Sequence, residues 1–179
     1  MRNGQRIGTT TLSVERDGAQ TISRLATHIA VKLAFITVYR FDQHETERWS
    51  GDRLLTLQSR TDDNGTVHTV AARRNGDVLT VEADGRVSRL NAATIPASPW
   101  NPDLVRRTTA LNPKDGKLMP VSVIDHGEER ITVGGHPVTA HHYSIRTSFP
   151  QDVWYDRNQR LIKVELHGSD GSTIRYQRG

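Results

Sequence analysis

The chain has 179 residues, with 24 Lys and Arg against 20 Asp and Glu, no Cys, and 35% of its residues hydrophobic. At this length one domain over residues 1–179 is expected, burying very roughly 70% of the surface the unfolded chain exposes. The 14 Gly and 7 Pro are too few for a fibrous or low-complexity chain, and the missing cysteine excludes a disulfide framework, a thiolate nucleophile and a Cys-ligated metal.

The net charge of +4 comes from 20 Arg and 4 Lys spread along the chain without a tract. This is read as base composition of the genome, and no nucleic-acid partner is expected. No window approaches the ~18 apolar residues of a membrane span. The longest apolar stretch, Ile29 to Phe41, is interrupted by Lys32 and Arg40, so no transmembrane segment is predicted.

Taken in chain order, Asn3-Gly4 is a two-residue hairpin signal with a strand after it and none before. An upstream strand, preceded by an export signal, is therefore expected before Met1. The strand edge it would cover is expected to pair two copies into an edge-strand homodimer. From there turn signals recur, among them Asp17-Gly18, Ser50-Gly51, Asp63-Asn64-Gly65, Asn75-Gly76, Asp84-Gly85, Gly134-Gly135 and Asp170-Gly171. Between them the sequence alternates with period two, the signature of an antiparallel meander. Leu25, Ile29, Val31 and Leu33 share one face of the second strand, with Arg24, His28 and Lys32 on the other. The same pattern puts Leu55 with Leu57, Leu79 with Val81, Val121 with Val123, and Ile162 with Val164 and Leu166. Residues 20–49 contain no Gly or Pro, and one strand of that length would reach on the order of 100 Å. A bend is placed at residues 33–36.

The one helical signal is Trp100-Asn101-Pro102-Asp103-Leu104-Val105, with an N-cap Asn, Pro at the first helical position and Asp in the first turn. Leu104, Val105, Thr108 and Leu111 give it an apolar face, and Asn112-Pro113 stops it. The fold class is thus mainly β: an antiparallel meander of about a dozen strands forming a curved sheet or an open or half barrel, with one short helix near 102–111.

Several runs, taken together, carry a resemblance over nearly the whole chain. They are Val31-Lys32-Leu33, Val38-Tyr39-Arg40-Phe41, Glu47-Arg48-Trp49-Ser50-Gly51-Asp52, Ser59-Arg60-Thr61-Asp62-Asp63-Asn64-Gly65, Trp100-Asn101-Pro102, Asp152-Val153-Trp154-Tyr155-Asp156 and Asp170-Gly171-Ser172-Thr173-Ile174. The chain resembles the bacterial family catalogued as domain of unknown function 6134. That resemblance carries no activity or catalytic residue across, and it implies a protein that is periplasmic or exported, with the signal segment absent from this sequence. A looser likeness runs to the half-open β-barrels of envelope lipoprotein carriers, where a helix sits against a concave apolar sheet.

Chemistry is sparse in the pattern. His141 and His142 are adjacent and point to opposite faces of a strand, His44 lies on the face opposite Glu45 and Glu47, and no metal or cofactor site is expected. Glu45 and Glu47 share a face about 7 Å apart beside Tyr39, Phe41 and Trp49, which suits a glycosidase-like pair or, more plainly, cross-strand partners of Arg. No serine stands in a nucleophile elbow, so no catalytic residue is assigned. The reading that emerges is a non-enzymatic envelope protein that holds a hydrophobic, lipid-like small molecule. Val31, Leu33, Tyr39, Phe41 and Trp49 would line its site, with Trp100 and Trp154 at the mouth. The alternatives are an assembly protein without a pocket, or a hydrolase using Glu45 and Glu47.

Overall fold

The computed structural model describes residues 7–33, 36–167 and 173–177, with the side chains at 32, 33, 36, 176 and 177 outside the description. The Asn3-Gly4 and Asp170-Gly171 turns, and the Ala34-Phe35 centre of the bend predicted at 33–36, lie outside the described residues.

Seven strands follow one another as neighbours in a single antiparallel sheet: β1 (Gly8–Asp17), β2 (Gln20–Leu33), β3 (Ile36–Ser50), β4 (Arg53–Asp63), β5 (Thr66–Asn75), β6 (Val78–Ala83) and β7 (Arg86–Asn91). A 3₁₀ turn at Pro102–Arg106 comes next, then the short pair β8 (Thr109–Leu111) and β9 (Leu118–Pro120). A second meander holds β10 (Ser122–Val133), β11 (His136–Arg146), β12 (Gln151–Tyr155), β13 (Leu161–His167) and β14 (Thr173–Gln177). The fold is mainly β and antiparallel, and its sheets do not close.

The described chain divides into two compact units. The first contains Ile7–Pro96 with Leu111–Leu118, and the second Ala97–Ala110 with the residues from Met119 on.

In the first unit, turn chemistry sets the register. Asn64-Gly65 and Asp84-Gly85 each join two strands with both central residues at positive φ (53° and 92°, 49° and 78°). This conformation matches the twist of the flanking strands. The inner face buries Ile29, Leu57, Leu79 and Val81, so this aliphatic set is core. The pairing of Leu55 with Leu57 on that face needs correction. A bulge opposite Arg48 and Trp49 inserts one residue into β4 and shifts its phase. Leu54 and Leu57 are both fully buried, while Leu55 is only half-buried. The segment Leu111–Leu118 returns to this unit: Leu111 N–H donates to the Ile95 carbonyl at 2.9 Å, and Lys114 Nζ pairs with the Asp63 carboxylate. At Gly116 the φ is +70°, and an added Cβ would stand 2.5 Å from that of Ala83.

In the second unit, Asn101 caps the 3₁₀ turn by accepting from the Asp103 N–H at 3.0 Å, and Leu104 is buried. The helix predicted over 102–111 stops at Arg106. Thr108 and Thr109 are β-branched and favour extended backbone; Val121 N–H donates to the Thr108 carbonyl at 2.9 Å, and Thr109–Leu111 is a strand. Ile145, Val153 and Tyr155 are buried. The Tyr155 hydroxyl donates to the Pro99 carbonyl at 2.7 Å and ties down the segment before the turn. Ile162 sits at a bulge between Trp154 and Tyr155. It packs with Ala140 and Trp154, beside Ile131 and Val138.

Candidate functional site

The seven residues singled out in the sequence fall in different places. Val31, Leu33, Tyr39, Phe41 and Trp49 belong to β2 and β3 of the first unit, whereas Trp100 and Trp154 belong to the second. Cross-strand pairing brings Val31 against Tyr39 and Ile29 against Phe41. Tyr39 is 36% exposed and its hydroxyl donates to Asp63 at 2.8 Å. Trp49 is 2% exposed and its Nε1 donates to Glu47 Oε2 at 2.7 Å. Trp154 is buried and Trp100 half-buried. The Leu33 side chain lies outside the described residues.

Glu45 and Glu47 are buried on one face of β3, as alternation requires, with His44 exposed on the other. Their cross-strand positions, expected to hold Arg, hold Ser23, Leu25, Leu57 and Ser59. Two carboxylates are thus set in a buried, partly hydroxylated stripe.

A cleft of about 720 Å³ lies in the second unit. That is within the usual range for small-molecule sites. Pro102 and Val105 of the 3₁₀ turn form one wall, and Ala140, Tyr143 and Tyr155 of the sheet form another. Arg106, Arg157, His141, Glu128 and Asp156 bring charge to it. Burial pushes the Tyr155 phenol up, and burial followed by the Asp125 charge does the same to Tyr143, so both remain neutral donors at ordinary pH. Several of the charges are already committed. His141 Nε2 lies 2.5 Å from Asp125, Arg106 3.4 Å from Asp103, and Arg160 holds Asp156 at 2.9 Å. Arg157 is exposed and joins no ion pair among the described residues.

Across the other face of β10–β13 runs a polar cluster that sequence reasoning missed. His142 stacks between His126 and Trp154, with ring centroids 4.4 and 4.3 Å away, and Lys163 Nζ sits 3.9 Å from the Trp154 ring. His126 occupies the bulge between Asp125 and Gly127, which turns it toward Ser144 at 2.8 Å. The Ser144 hydroxyl donates to Asp152, and His167 Nε2 lies 2.6 Å from the other oxygen of that carboxylate. The His142 nitrogens are each 3.6 Å from a carboxylate, Glu129 and Asp152, and Trp154 Nε1 donates to Glu129. Burial pushes Asp152 up, but the bonds from Ser144 and His167 outweigh it and hold the carboxyl below its ordinary 3.8.

Serine, histidine and aspartate meet here in an order unlike that of a nucleophile triad. The serine hydroxyl meets the Asp152 carboxylate directly, and the His126 ring contacts the same oxygen, so the histidine does not stand between serine and aspartate as it does in a triad. Among the described residues no three His, Asp or Glu side chains are arranged to hold a metal. The alternation His142, Ser144 and Asp152, Trp154 was visible in the sequence as two one-faced pairs. What joined them was the register of β11 with β12 and the bulge at His126, neither of which has a sequence signature.

No curated protein matches the chain. Among solved structures it is similar to the crystal structure of a beta-barrel-like protein of domain of unknown function DUF1849 from Brucella abortus. The TM-score is 0.72, over 96% of this chain and 86% of that one, at 10% identity. At that identity the likeness shows a shared fold, mainly β and antiparallel. The family described as Domain of unknown function (DUF6134) matches residues 1–179. The match runs the length of a sequence whose own motifs carried the same resemblance, and the chain belongs to the DUF6134 family.

Proposed function

We propose that this protein is a non-enzymatic binding module of the bacterial envelope, and that it takes an amphipathic, lipid-like molecule in the cleft of its second unit. The observation that carries the reading is the composition of that cleft. Apolar and aromatic groups of Pro102, Val105, Ala140, Tyr143 and Tyr155 share the lining with charged and polar ones, among them an uncommitted cation, Arg157. Such a site suits a ligand with a hydrocarbon or planar body and an anionic head, because the body gains from burial while the guanidinium binds a carboxylate or phosphate in two-point fashion. The family resemblance is what supports the envelope setting. It is a separate claim, checked by fractionating cells that express the natural gene.

The test begins with native mass spectrometry of protein purified without detergent, followed by organic extraction. A co-purifying fatty acid or lipid is the expected result. A fluorescent fatty acid then serves as probe, and Arg157→Gln is expected to weaken it by about tenfold, the loss of one charge-assisted contact. A bare mass together with no uptake of the probe overturns the reading.

A further inference from the structure

The outer face of the first unit gathers cations that the sequence scatters. Following the register from strand to strand, Arg48 on β3 stands opposite Thr56 on β4, Thr56 opposite Arg73 on β5, Arg73 opposite Thr80 on β6, and Thr80 opposite Arg89 on β7. One rung of the sheet therefore reads Arg, Thr, Arg, Thr, Arg across five strands. The three arginines are exposed and the two threonines half-buried between them. None of the three guanidinium groups is in an ion pair among the described residues, although ion pairs occur elsewhere on the same unit, as between Arg24 and Glu15. Beside the rung the same face sinks into a hollow of about 460 Å³, where His44, Thr46, Gln58, Arg60 and Thr69 present donors and Glu82 is the one carboxylate in the lining.

We propose that this face binds a linear acidic polysaccharide, its anionic groups on the arginine rung and its sugar hydroxyls on the threonines and the hollow. Charge complementarity selects an anion, and spacing selects among anions. Alternate strands place the guanidinium groups about 10 Å apart, a separation comparable to two sugar rings of an extended glycan that carries charge on alternate units. A nucleic-acid strand carries a phosphate every ~3.4 Å along its helix and would leave most of them unmatched. It would also look for aromatic platforms to stack successive bases; the rung has none, and the hollow offers a single imidazole, His44. A bilayer surface is planar, whereas successive strands rotate by ~20–25°, so the rung turns by roughly 80–100° from β3 to β7. A flexible chain follows that turn; a plane meets only part of it. The interleaved hydroxyl and amide groups complete the match, since sugars need many neutral hydrogen-bond partners as well as charge.

The proposal is independent of the cleft, which lies in the other unit, and its test uses the full chain. A fluorescent heparin oligosaccharide is titrated against the wild type, against Arg73→Gln, and against the triple variant R48Q/R73Q/R89Q. A second triple, R16Q/R130Q/R146Q, removes the same net charge from exposed arginines off the rung. The rung triple is expected to lose at least about tenfold in affinity and to flatten the dependence of log affinity on log salt, with fewer counterions released. Arg73→Gln is expected to lose about threefold and the control triple less than twofold, on the same counterion argument, with unchanged circular dichroism in all variants. Equal losses in the two triples, no binding by the wild type, or a larger rung-dependent affinity for a single-stranded oligonucleotide or for phosphatidylglycerol vesicles would overturn it.

Discussion

Asp152 shows how one side chain can organise a face. Its two oxygens take the Ser144 hydroxyl and the His167 ring, and its carboxyl titrates below the ordinary 3.8 in the folded state. A carboxyl depressed in this way contributes stability above its unfolded value and loses it as pH falls through the folded value. The contribution is therefore complete above about pH 4 and disappears below it. Asp63, drawn down by Lys114 and Tyr39 against the opposing pull of burial, behaves alike. Urea titrations from pH 2 to pH 7 should show stability falling on the acid side of about pH 4, and Asp152→Asn should flatten that limb while lowering stability at pH 7 by roughly 1–3 kcal/mol, the usual result of unbalancing a part-buried polar network. An acid limb identical in the two proteins would show that Asp152 does not contribute. Trp49 makes a second residue-scale case. Its indole donates to a fully buried Glu47, so Trp49→Phe keeps the ring and removes one donor from a buried carboxylate. The expected cost is roughly 1–3 kcal/mol in the same urea assay, with no loss if other partners take over the charge.

Among elements, the strands were the most legible in the sequence, and for a physical reason. Alternation and turn chemistry are local, so β5 and β6 could be bounded from Asn64-Gly65, Asn75-Gly76 and Asp84-Gly85 alone. The N-cap at Asn101 was legible on the same grounds. Where sequence reading failed, pairing with another strand decided. Thr109–Leu111 became a strand beside Leu118–Pro120, and the β4 bulge against β3 shifted a phase that local alternation could not report. That bulge yields a sharp contrast. Leu54→Ala should cost roughly 2–5 kcal/mol, because the residue is fully buried, while Leu55→Ala should cost about 1 kcal/mol, near the centre of the mutational range. Thermal melts of the two variants decide it, and equal shifts would mean the bulge does not set the face. The candidate site was hardly legible at all. Tyr143, Tyr155 and Arg157 converge with Val105 through tertiary packing, and nothing in their spacing announces a cleft.

Taken whole, the molecule interleaves its chain. The first unit claims Leu111–Leu118 after the chain has already entered the second, so no single cut separates the two units. A fragment of residues 7–96 would lack Leu111, which is fully buried, and the Lys114 partner of Asp63. It is expected to expose apolar surface, bind a hydrophobic dye and melt without a cooperative transition; a sharp melt like that of the intact chain would show that the returning segment is dispensable. Gly116→Ala tests the same segment more gently, since its positive φ and its approach to Ala83 both oppose a methyl group. The expected loss is roughly 1–3 kcal/mol. The strand register also limits how the sequence can change in descent. Side chains change face with every residue, so a single insertion or deletion within β4 to β7 would exchange the two faces of the strands beyond it. It would drive Arg73 or Arg89 into the core while bringing Leu79 and Val81 to the surface. Length changes among descendants of this sequence should therefore collect at the hairpin tips, with the strands between them inherited at constant length, like words in a text that can be respaced but not respelled.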